Sequence, residues 1–145
     1  MPATVTIKRT TRRKIDPKAL KGPDRVKVGF PASKSDRSVI DIAIWNEFGT
    51  RRIPERPFMR NTVRNHRTRY LTILRSSASR IVMGLTTLPV VLNKLGIQVQ
   101  GDIQDEITTF RDPPNAPSTI KAKGSSNPLI DIGTMRQSVT WIVEK

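Results

Sequence analysis

Strict alternation of apolar and polar residues marks two short segments near opposite ends of the chain. The alternating apolar positions are Val26, Val28 and Phe30 in the first segment and Val139, Trp141 and Val143 in the second. A period of two places these side chains on one face of an extended backbone, which is typical of a half-buried strand. Residues 4–7 alternate in the same way. We therefore predict a small antiparallel sheet built from strands near each terminus.

Helical periodicity fills the middle of the chain. Apolar residues recur there every three or four positions, which predicts three helices. The apolar positions are Val39, Ile40, Ala43, Ile44 and Phe48 in a short first helix, Met59, Val63, Tyr70 and Leu74 in a long second helix, and Leu88, Leu92, Leu95, Val99, Ile103 and Ile107 in a third. The third helix begins between Thr86 and Pro89 and runs toward Thr109. Gly96 and Gly101 weaken it locally, either to admit a neighbouring helix or by simple tolerance.

Gly49 and Pro57 mark the two ends of the connection between the first two helices. Gly49 follows the apolar run where a helix end often requires positive φ, so it favours a helix over a strand for the β-branched residues before it. Pro57 suits the first turn of the next helix, where a missing N–H costs no hydrogen bond. Prolines in the turn also push the preceding residues toward extended geometry. We expect a surface turn that presents Arg51, Arg52 and Arg56.

A long segment rich in Pro, Ser, Asn, Gly and Lys separates the third helix from the last strand. It runs from Pro113 to Pro128, and only Ser118–Lys123 could form a turn or a short helix. Structureless spans of this size are uncommon in compact domains, and they usually bind a partner or become ordered by one. We expect this segment to project from the domain.

These elements predict an α+β fold. A small antiparallel sheet carries two main helices packed on one side, and long loops project from it. The chain has 145 residues, which is enough for one domain with a real core. We assign residues 1–24 to a basic N-terminal arm, with an arm or irregular loop from Lys8 to Pro23. Residues 25–145 form a single α+β domain.

The charge of the chain is strongly positive. It has 26 Lys and Arg against 12 Asp and Glu, for a formal net charge of +14. Such a field attracts anionic partners over a distance that salt sets. DNA, acidic protein surfaces and anionic lipid are all physical candidates, and the charge alone does not separate them.

Four arginines lie opposite the predicted apolar face of the second helix. They are Arg60, Arg64, Arg67 and Arg75. No Asp or Glu occurs between Arg56 and Arg80, so no ion pair four residues apart within the helix can offset their repulsion. An external anion could do so, either non-specific DNA or the acidic surface of a neighbouring subunit. The alternative interpretation is an ordinary solvated helix face.

Sequence signatures of catalysis are absent. The chain has no Cys, and it has no P-loop, G-x-G-x-x-G, G-x-S-x-G or H-E-x-x-H motif. His66 is the single histidine and has no second ligand at metal spacing, so we interpret it as a packed residue. Asp102, Asp105 and Glu106 share one helix without an identifiable partner, and we interpret them as a solvated face. We predict that the protein is not an enzyme and needs no metal or cofactor.

Membrane and export signals are also missing from the sequence. No apolar run approaches the roughly 20 residues that span a bilayer, and the first residues lack the apolar region of a signal peptide. We expect no membrane partner and synthesis in the cytoplasm.

Two motifs in fixed order are similar to those of the tail-completion or neck proteins of tailed bacteriophages, which join heads to tails. Members of that group typically pair an E-F-G-T and R-P-F segment with a later P-L-[IV]-D-T-G-x-[LM]-x-x-S segment. The matching residues are Glu47, Phe48, Gly49, Thr50, Arg56, Pro57 and Phe58 in the first motif and Pro128, Leu129, Ile130, Asp131, Gly133, Met135 and Ser138 in the second. Ile132 departs from the pattern, since Thr is commoner there. The resemblance runs from Val26 to Val143.

The resemblance implies a structural virion protein. It implies a ring of identical subunits, by default a hexamer, between the head connector or stopper and the tail tube or tail terminator. The motif residues would then form interfaces, and Arg51, Arg52, Arg60, Arg64, Arg67 and Arg75 would contact a partner or DNA. The alternative is an independent, non-catalytic nucleic-acid-binding protein that uses the basic arm and phosphate contacts alone.

Overall fold

The computed structural model describes residues 16–145. The strand predicted at residues 4–7 and the first part of the basic arm lie outside the described residues. The assignment of residues 1–24 to a separate arm stays a prediction.

Two strands and five helices make up the described part of the chain. The strands are β1, Arg25–Gly29, and β2, Thr140–Glu144. The helices are α1, Arg37–Phe48; α2, Phe58–Val82; α3, Leu88–Thr109; α4, Pro117–Lys123; and α5, Thr134–Gln137. The predicted α+β class is confirmed, and the Pro-rich segment contains the short helix α4.

The sheet consists of β1 and β2 in antiparallel register. Val28 pairs with Trp141 and Val26 pairs with Val143, so the alternating apolar positions of both strands share one face. Val26 and Val28 pack against the main core from that face. Helix α3 lies against the sheet, and α2 packs on α3. The two long helices therefore stack on one side of the sheet, as the sequence predicts.

Helix α3 buries the face that its periodicity predicts. Leu92, Leu95, Val99, Ile103 and Ile107 are all buried, and the last two are almost fully enclosed. Spacings of three and four residues place these side chains along one stripe of the helix. This stripe connects the sheet to α2 and forms the centre of the core.

Gly96 lies on the same side of α3, and it admits a strand side chain rather than a neighbouring helix. A Cβ at this position would stand 2.4 Å from Cδ1 of Trp141. The Trp141 indole thus lies on the helix backbone, and its N–H donates to Asn93 Oδ1 at 3.2 Å. Gly101 has no such neighbour within 4 Å.

Helix α2 buries only part of the face that we predicted. Tyr70 is buried and Met59 packs against the main core, whereas Val63 is 52% exposed. The other buried residues of α2 are Phe58, Ile81 and Thr62, and the Thr62 hydroxyl donates to the Phe58 carbonyl at 2.8 Å. A threonine satisfied inside its own helix can be buried without an unpaired polar atom.

The end of the predicted irregular segment folds onto the domain. Pro17–Leu20 forms a short 3-10 turn, capped by the Asp16 carboxylate, which accepts from the Lys18 N–H. Ala19 of this turn packs with Ile81 of α2 and Val91 of α3 in a second, smaller core. The expectation of an irregular loop up to Pro23 was wrong for these residues.

Candidate interaction site

The buried carboxylate of Glu47 joins the end of α1 to the start of α2. Its oxygens accept from the backbone N–H groups of Met59 at 2.9 Å and Arg60 at 3.1 Å, and from Arg60 Nε at 2.9 Å. The first N–H groups of a helix have no partner within the helix, and they lie at the positive end of its dipole. Glu47 therefore supplies the cap that the sequence of α2 lacks.

A tight turn follows Glu47. Gly49 has a φ of +71°, as predicted, and the Thr50 N–H donates to the Ile53 carbonyl at 2.8 Å. A Cβ on Gly49 would lie 2.9 Å from the Glu55 backbone nitrogen. The turn therefore requires glycine for both its conformation and its space. Pro57 immediately precedes the first residue of α2.

Arg51 and Arg52 of this turn are exposed, but Arg56 is buried, so the expected surface position of Arg56 was wrong. Arg56 donates to the carbonyls of Pro113 and Pro114, each at 3.1 Å, to Asn115 Oδ1 at 3.2 Å and to Asn46 Oδ1 at 3.3 Å. Burial lowers the pKa of its guanidinium. Neutral oxygens satisfy this buried cation, and they fasten the Pro-rich segment to the turn.

Asparagines hold the remainder of the Pro-rich segment in place. The Asn115 amide donates to the Asn127 carbonyl at 3.2 Å, and the Asn127 amide donates to the Thr108 carbonyl at the end of α3 at 2.9 Å. Asn127 Oδ1 accepts from the N–H groups of Leu129 and Ile130. These bonds fix the entry to the second motif against α3.

The second motif packs against α1. Pro128, Leu129 and Met135 are buried, whereas Asp131 and Ile132 are exposed. Gly133 has a φ of +85° at the start of α5. Together with α1, this segment lines a groove of about 290 Å³; the α1 residues in it are Ser38, Val39, Ile42 and Asn46. The second motif therefore lies along α1, and the last residues of α1 begin the first motif.

A second groove lies on the other flank of α1, toward α2. Its apolar lining consists of Phe30, Ile40, Ala43, Ile44, Phe48 and Met59, and its volume is about 380 Å³. Phe48 is 65% exposed at the rim, and the Arg60 guanidinium lies 5.2 Å from the centre of its ring. We call this the α1–α2 groove.

Helix α1 is apolar on nearly every side. Its buried residues are Val39, Ala43 and Glu47, while Ile42, Ile44, Trp45 and Phe48 are each more than 40% exposed. A helix that is apolar all round is normally buried on all sides. Clustered exposed apolar side chains of this kind mark interaction sites on soluble proteins.

The four predicted basic positions of α2 divide into two groups. Arg60 forms ion pairs with Glu47 and Glu55, which lie before the helix in sequence, so its charge is offset from within the chain and not by the external anion that we considered. The hydrogen bonds that Arg60 donates to Glu47 and Glu55 raise the pKa of its guanidinium. Within residues 16–145, Arg64, Arg67 and Arg75 form no ion pair.

Asp102 is buried rather than solvated, which corrects its sequence interpretation. It accepts from Arg69, from the Tyr70 hydroxyl at 2.6 Å and from Gln98 at 3.1 Å. Burial raises the pKa of this carboxyl, but the three hydrogen bonds outweigh burial and hold the pKa below its ordinary value. Burial and the bond to Asp102 raise the pKa of Tyr70. This network ties α2 to α3.

The remaining chemical candidates are His66, Asp105 and Glu106. His66 is partly buried beside Tyr70, with ring centres 6.1 Å apart, and Glu106 accepts from Asn61 at 3.3 Å. Asp105 is exposed. Across residues 16–145, no group of three or more His, Cys, Asp and Glu is placed to hold a metal ion.

Comparisons with protein-family models, curated proteins and solved structures found no match to this chain. In the part of the chain that the structure describes, no helix is both long and apolar enough to cross a bilayer.

Proposed function

We propose that this chain is a structural subunit of a tailed-phage virion, which forms a ring in the neck or tail-completion layer and joins the head connector to the tail. The observation that carries this proposal is helix α1. It holds both family-like motifs together, yet leaves Ile42, Ile44, Trp45 and Phe48 exposed. Exposing four large apolar side chains to water on one short helix is unfavourable for a monomer, whereas a subunit of an assembly buries them against its neighbours.

Two separate flanks of α1 suit the two kinds of contact that a neck subunit makes. One flank opens to the groove shared with the second motif, and the other opens to the α1–α2 groove. A closed ring requires contacts between different surfaces of adjacent subunits, and joining requires a further surface for the next layer. We assign the flank that contains Ile42 to the ring contact and the α1–α2 groove to the next layer.

The motif residues then have two roles. Glu47, Gly49 and Arg56 build the turn from inside, and they set its geometry rather than touch a partner. Phe48 and Asp131 are exposed and available for contact. Arg51 and Arg52 are exposed on the same turn and could meet a neighbouring subunit or DNA phosphates.

Deleting the gene from the phage genome that encodes it tests this proposal. We expect heads and tails to accumulate unjoined in electron micrographs of the lysate. Complementation with the intact chain should restore joined particles. Normal infectious particles from the deletion would rule out the proposed role.

A substitution on α1 tests the assembly surface directly. We expect Trp45→Ser to fold but to fail in complementation, because it removes an exposed apolar side chain from the proposed interface. Leu85→Ser is the matched control, since Leu85 is 65% exposed in the connection between α2 and α3. Equal complementation by both variants would contradict an interface at Trp45.

A non-catalytic nucleic-acid-binding protein is the second candidate, supported by the net charge of +14 and by Arg64, Arg67 and Arg75 without ion pairs in residues 16–145. Such a protein binds phosphates without regard to sequence and loses affinity steeply with salt. In assembled particles, reversing Arg64 and Arg67 to Glu separates a protein contact of these arginines from a DNA contact. Failure to join indicates a protein contact, whereas normal joining with impaired DNA retention or ejection indicates phosphate contacts.

A further inference from the structure

The α1–α2 groove continues along α2 as a strip that combines apolar and basic side chains. Beyond the groove, Met59 and Val63 provide apolar surface, and Arg60, Arg64 and Arg67 line it. Val63 is 52% exposed. The groove and the strip share Met59 and Arg60, so they form one continuous surface.

The charges along this surface favour an anionic occupant. Arg64 and Arg67 lie one turn apart on α2, and neither forms an ion pair within the described residues. Arg60 at the near end is already paired with Glu47 and Glu55. Two unpaired cations beside an apolar groove gain most from carboxylates that arrive together with an apolar side chain.

From this arrangement we propose that the α1–α2 groove binds an acidic segment of another protein, which inserts an apolar anchor between Phe48 and Met59 and places carboxylates against Arg64 and Arg67. The assignment of that protein to the adjacent neck layer rests on the proposed function. The binding chemistry itself rests only on the groove and its arginines.

The apolar lining distinguishes a protein segment from a nucleic acid backbone. DNA would satisfy Arg64 and Arg67 through phosphates, but the phosphate backbone carries no side chain that fills an apolar groove. A peptide supplies both features at adjacent positions, as in other complexes where a groove receives apolar anchors. The exposed Phe48 ring and the groove beside it therefore favour protein.

A second copy of this chain is a poor occupant of the groove. Each copy carries a net charge of +14, and both of the buried carboxylates in residues 16–145 already bind cations of the same domain. Glu47 and Asp102 are in ion pairs within the domain, as are Asp41 and Glu144 at the surface. A partner with a locally acidic sequence avoids this repulsion.

Titration of the isotope-labelled, full-length protein with defined probes tests the proposal by NMR and fluorescence anisotropy. The main probe is a short amphipathic peptide with glutamates on both sides of a Leu-Phe pair. One control peptide has glutamine for every glutamate, another has alanine for Leu and Phe, and an oligothymidylate carries the same net charge as the main probe.

We expect the main peptide to bind about tenfold or more tightly than either control peptide, because the anchor and the charges each contribute. Its largest shifts should map to Ile44, Phe48, Met59 and Val63. Phe48→Ser should reduce the affinity for the main peptide and leave oligothymidylate binding unchanged.

Variants on the two ends of α2 provide matched controls. Arg64→Gln combined with Arg67→Gln should weaken the affinity for the main peptide about tenfold. Arg75→Gln with Arg80→Gln removes the same charge from the far end of the helix and should have a much smaller effect. All four side chains are exposed, so these variants should retain the native spectrum.

Three outcomes would overturn the proposal. One is equal binding of all three peptides. Another is tighter binding of oligothymidylate with no contribution from Phe48, which would make the surface a phosphate site. The third is a set of shifts confined to residues outside the groove. Because the experiment uses the isolated protein, these outcomes leave the ring proposal to be judged on particle assembly alone.

Discussion

The Trp141 indole of β2 lies directly on the backbone of α3 at Gly96. A Cβ on Gly96 would come within 2.4 Å of Cδ1 and 2.6 Å of Cγ of the ring. Real Cβ atoms do not approach an aromatic ring so closely, and the ring is a large rigid group between helix and sheet. The spacing between α3 and the sheet therefore depends on this glycine.

Gly96→Ala should lower the free energy of unfolding by about 1–3 kcal/mol, because the ring or the strand has to move. Gly101→Ala is the matched control on the same helix, since a Cβ there meets no atom within 4 Å. The control should be neutral or stabilise by up to about 1 kcal/mol, as alanine favours the helix. Urea unfolding followed by circular dichroism measures both, and equal effects would contradict the close approach of Trp141.

Gly49→Val should destabilise the fold by more than about 1 kcal/mol, because the backbone has positive φ and a side chain would strike Glu55. Gly84→Val isolates the cost of positive φ alone, since Gly84 has a φ of +72° and open space around it. Arg51→Ala should leave the melting temperature almost unchanged because its side chain is exposed. If Gly49→Val and Arg51→Ala have the same melting temperature, the turn is wrongly placed.

Glu47→Gln should cost about 1–3 kcal/mol, because it weakens charge-assisted bonds to the first N–H groups of α2 and leaves part of Arg60 unpaired. Glu55→Gln also removes a carboxylate from Arg60, but Glu55 is exposed and should contribute less than about 1 kcal/mol. Amide hydrogen exchange should increase at the start of α2 in the first variant only. Matching exchange in both would argue against a capping role.

Asp102 should make stability depend on pH in the acid range. Its pKa is lower in the folded protein than its ordinary value, so its contribution is present above about pH 4 and is lost as the pH falls through the folded pKa. Asp102→Asn should therefore be less stable at neutral pH and should lose less stability on acidification. Asp105→Asn, on the exposed side of α3, is the control. A parallel pH profile for Asp102→Asn and the native chain would contradict this role.

The sequence predicts those elements whose signals are local. The strand at Val26 and Val28, the apolar stripe of α3 and the positive φ of Gly49 follow from short-range periodicity and backbone sterics, and all three are confirmed. These features depend on residues that are close in sequence, so they can be predicted from a single amino-acid sequence.

Burial of polar residues was harder to predict because their partners are distant in sequence. Arg56 finds its acceptors at Pro113 and Pro114, and Asp102 finds its donors at Arg69 and Tyr70. A charged side chain looks solvated until such partners are known. Thr62 is a different case because its partner is local: its hydroxyl donates to the Phe58 carbonyl four residues earlier, so a polar residue is buried within its own helix.

Glu47 did carry a signal that sequence reasoning could have used. A glutamate in the last turn of a helix places a negative charge at the negative end of the helix dipole, so Glu47 is unfavourable for α1 itself. The same carboxylate is favourable at the start of a following helix. A glutamate before a helix-ending glycine, with another helix eight residues or so beyond, can therefore indicate a cap that crosses the turn.

The buried guanidinium of Arg56 gives the protein a path for mechanical load. It bonds the turn after α1 to two successive carbonyls of the Pro-rich segment, so tension on either segment is shared among parallel bonds. Bonds loaded in parallel must all lengthen at once before the segments separate. If the chain joins a head to a tail, as we propose, this cross-link would keep the turn and the Pro-rich segment together when the joint is stressed.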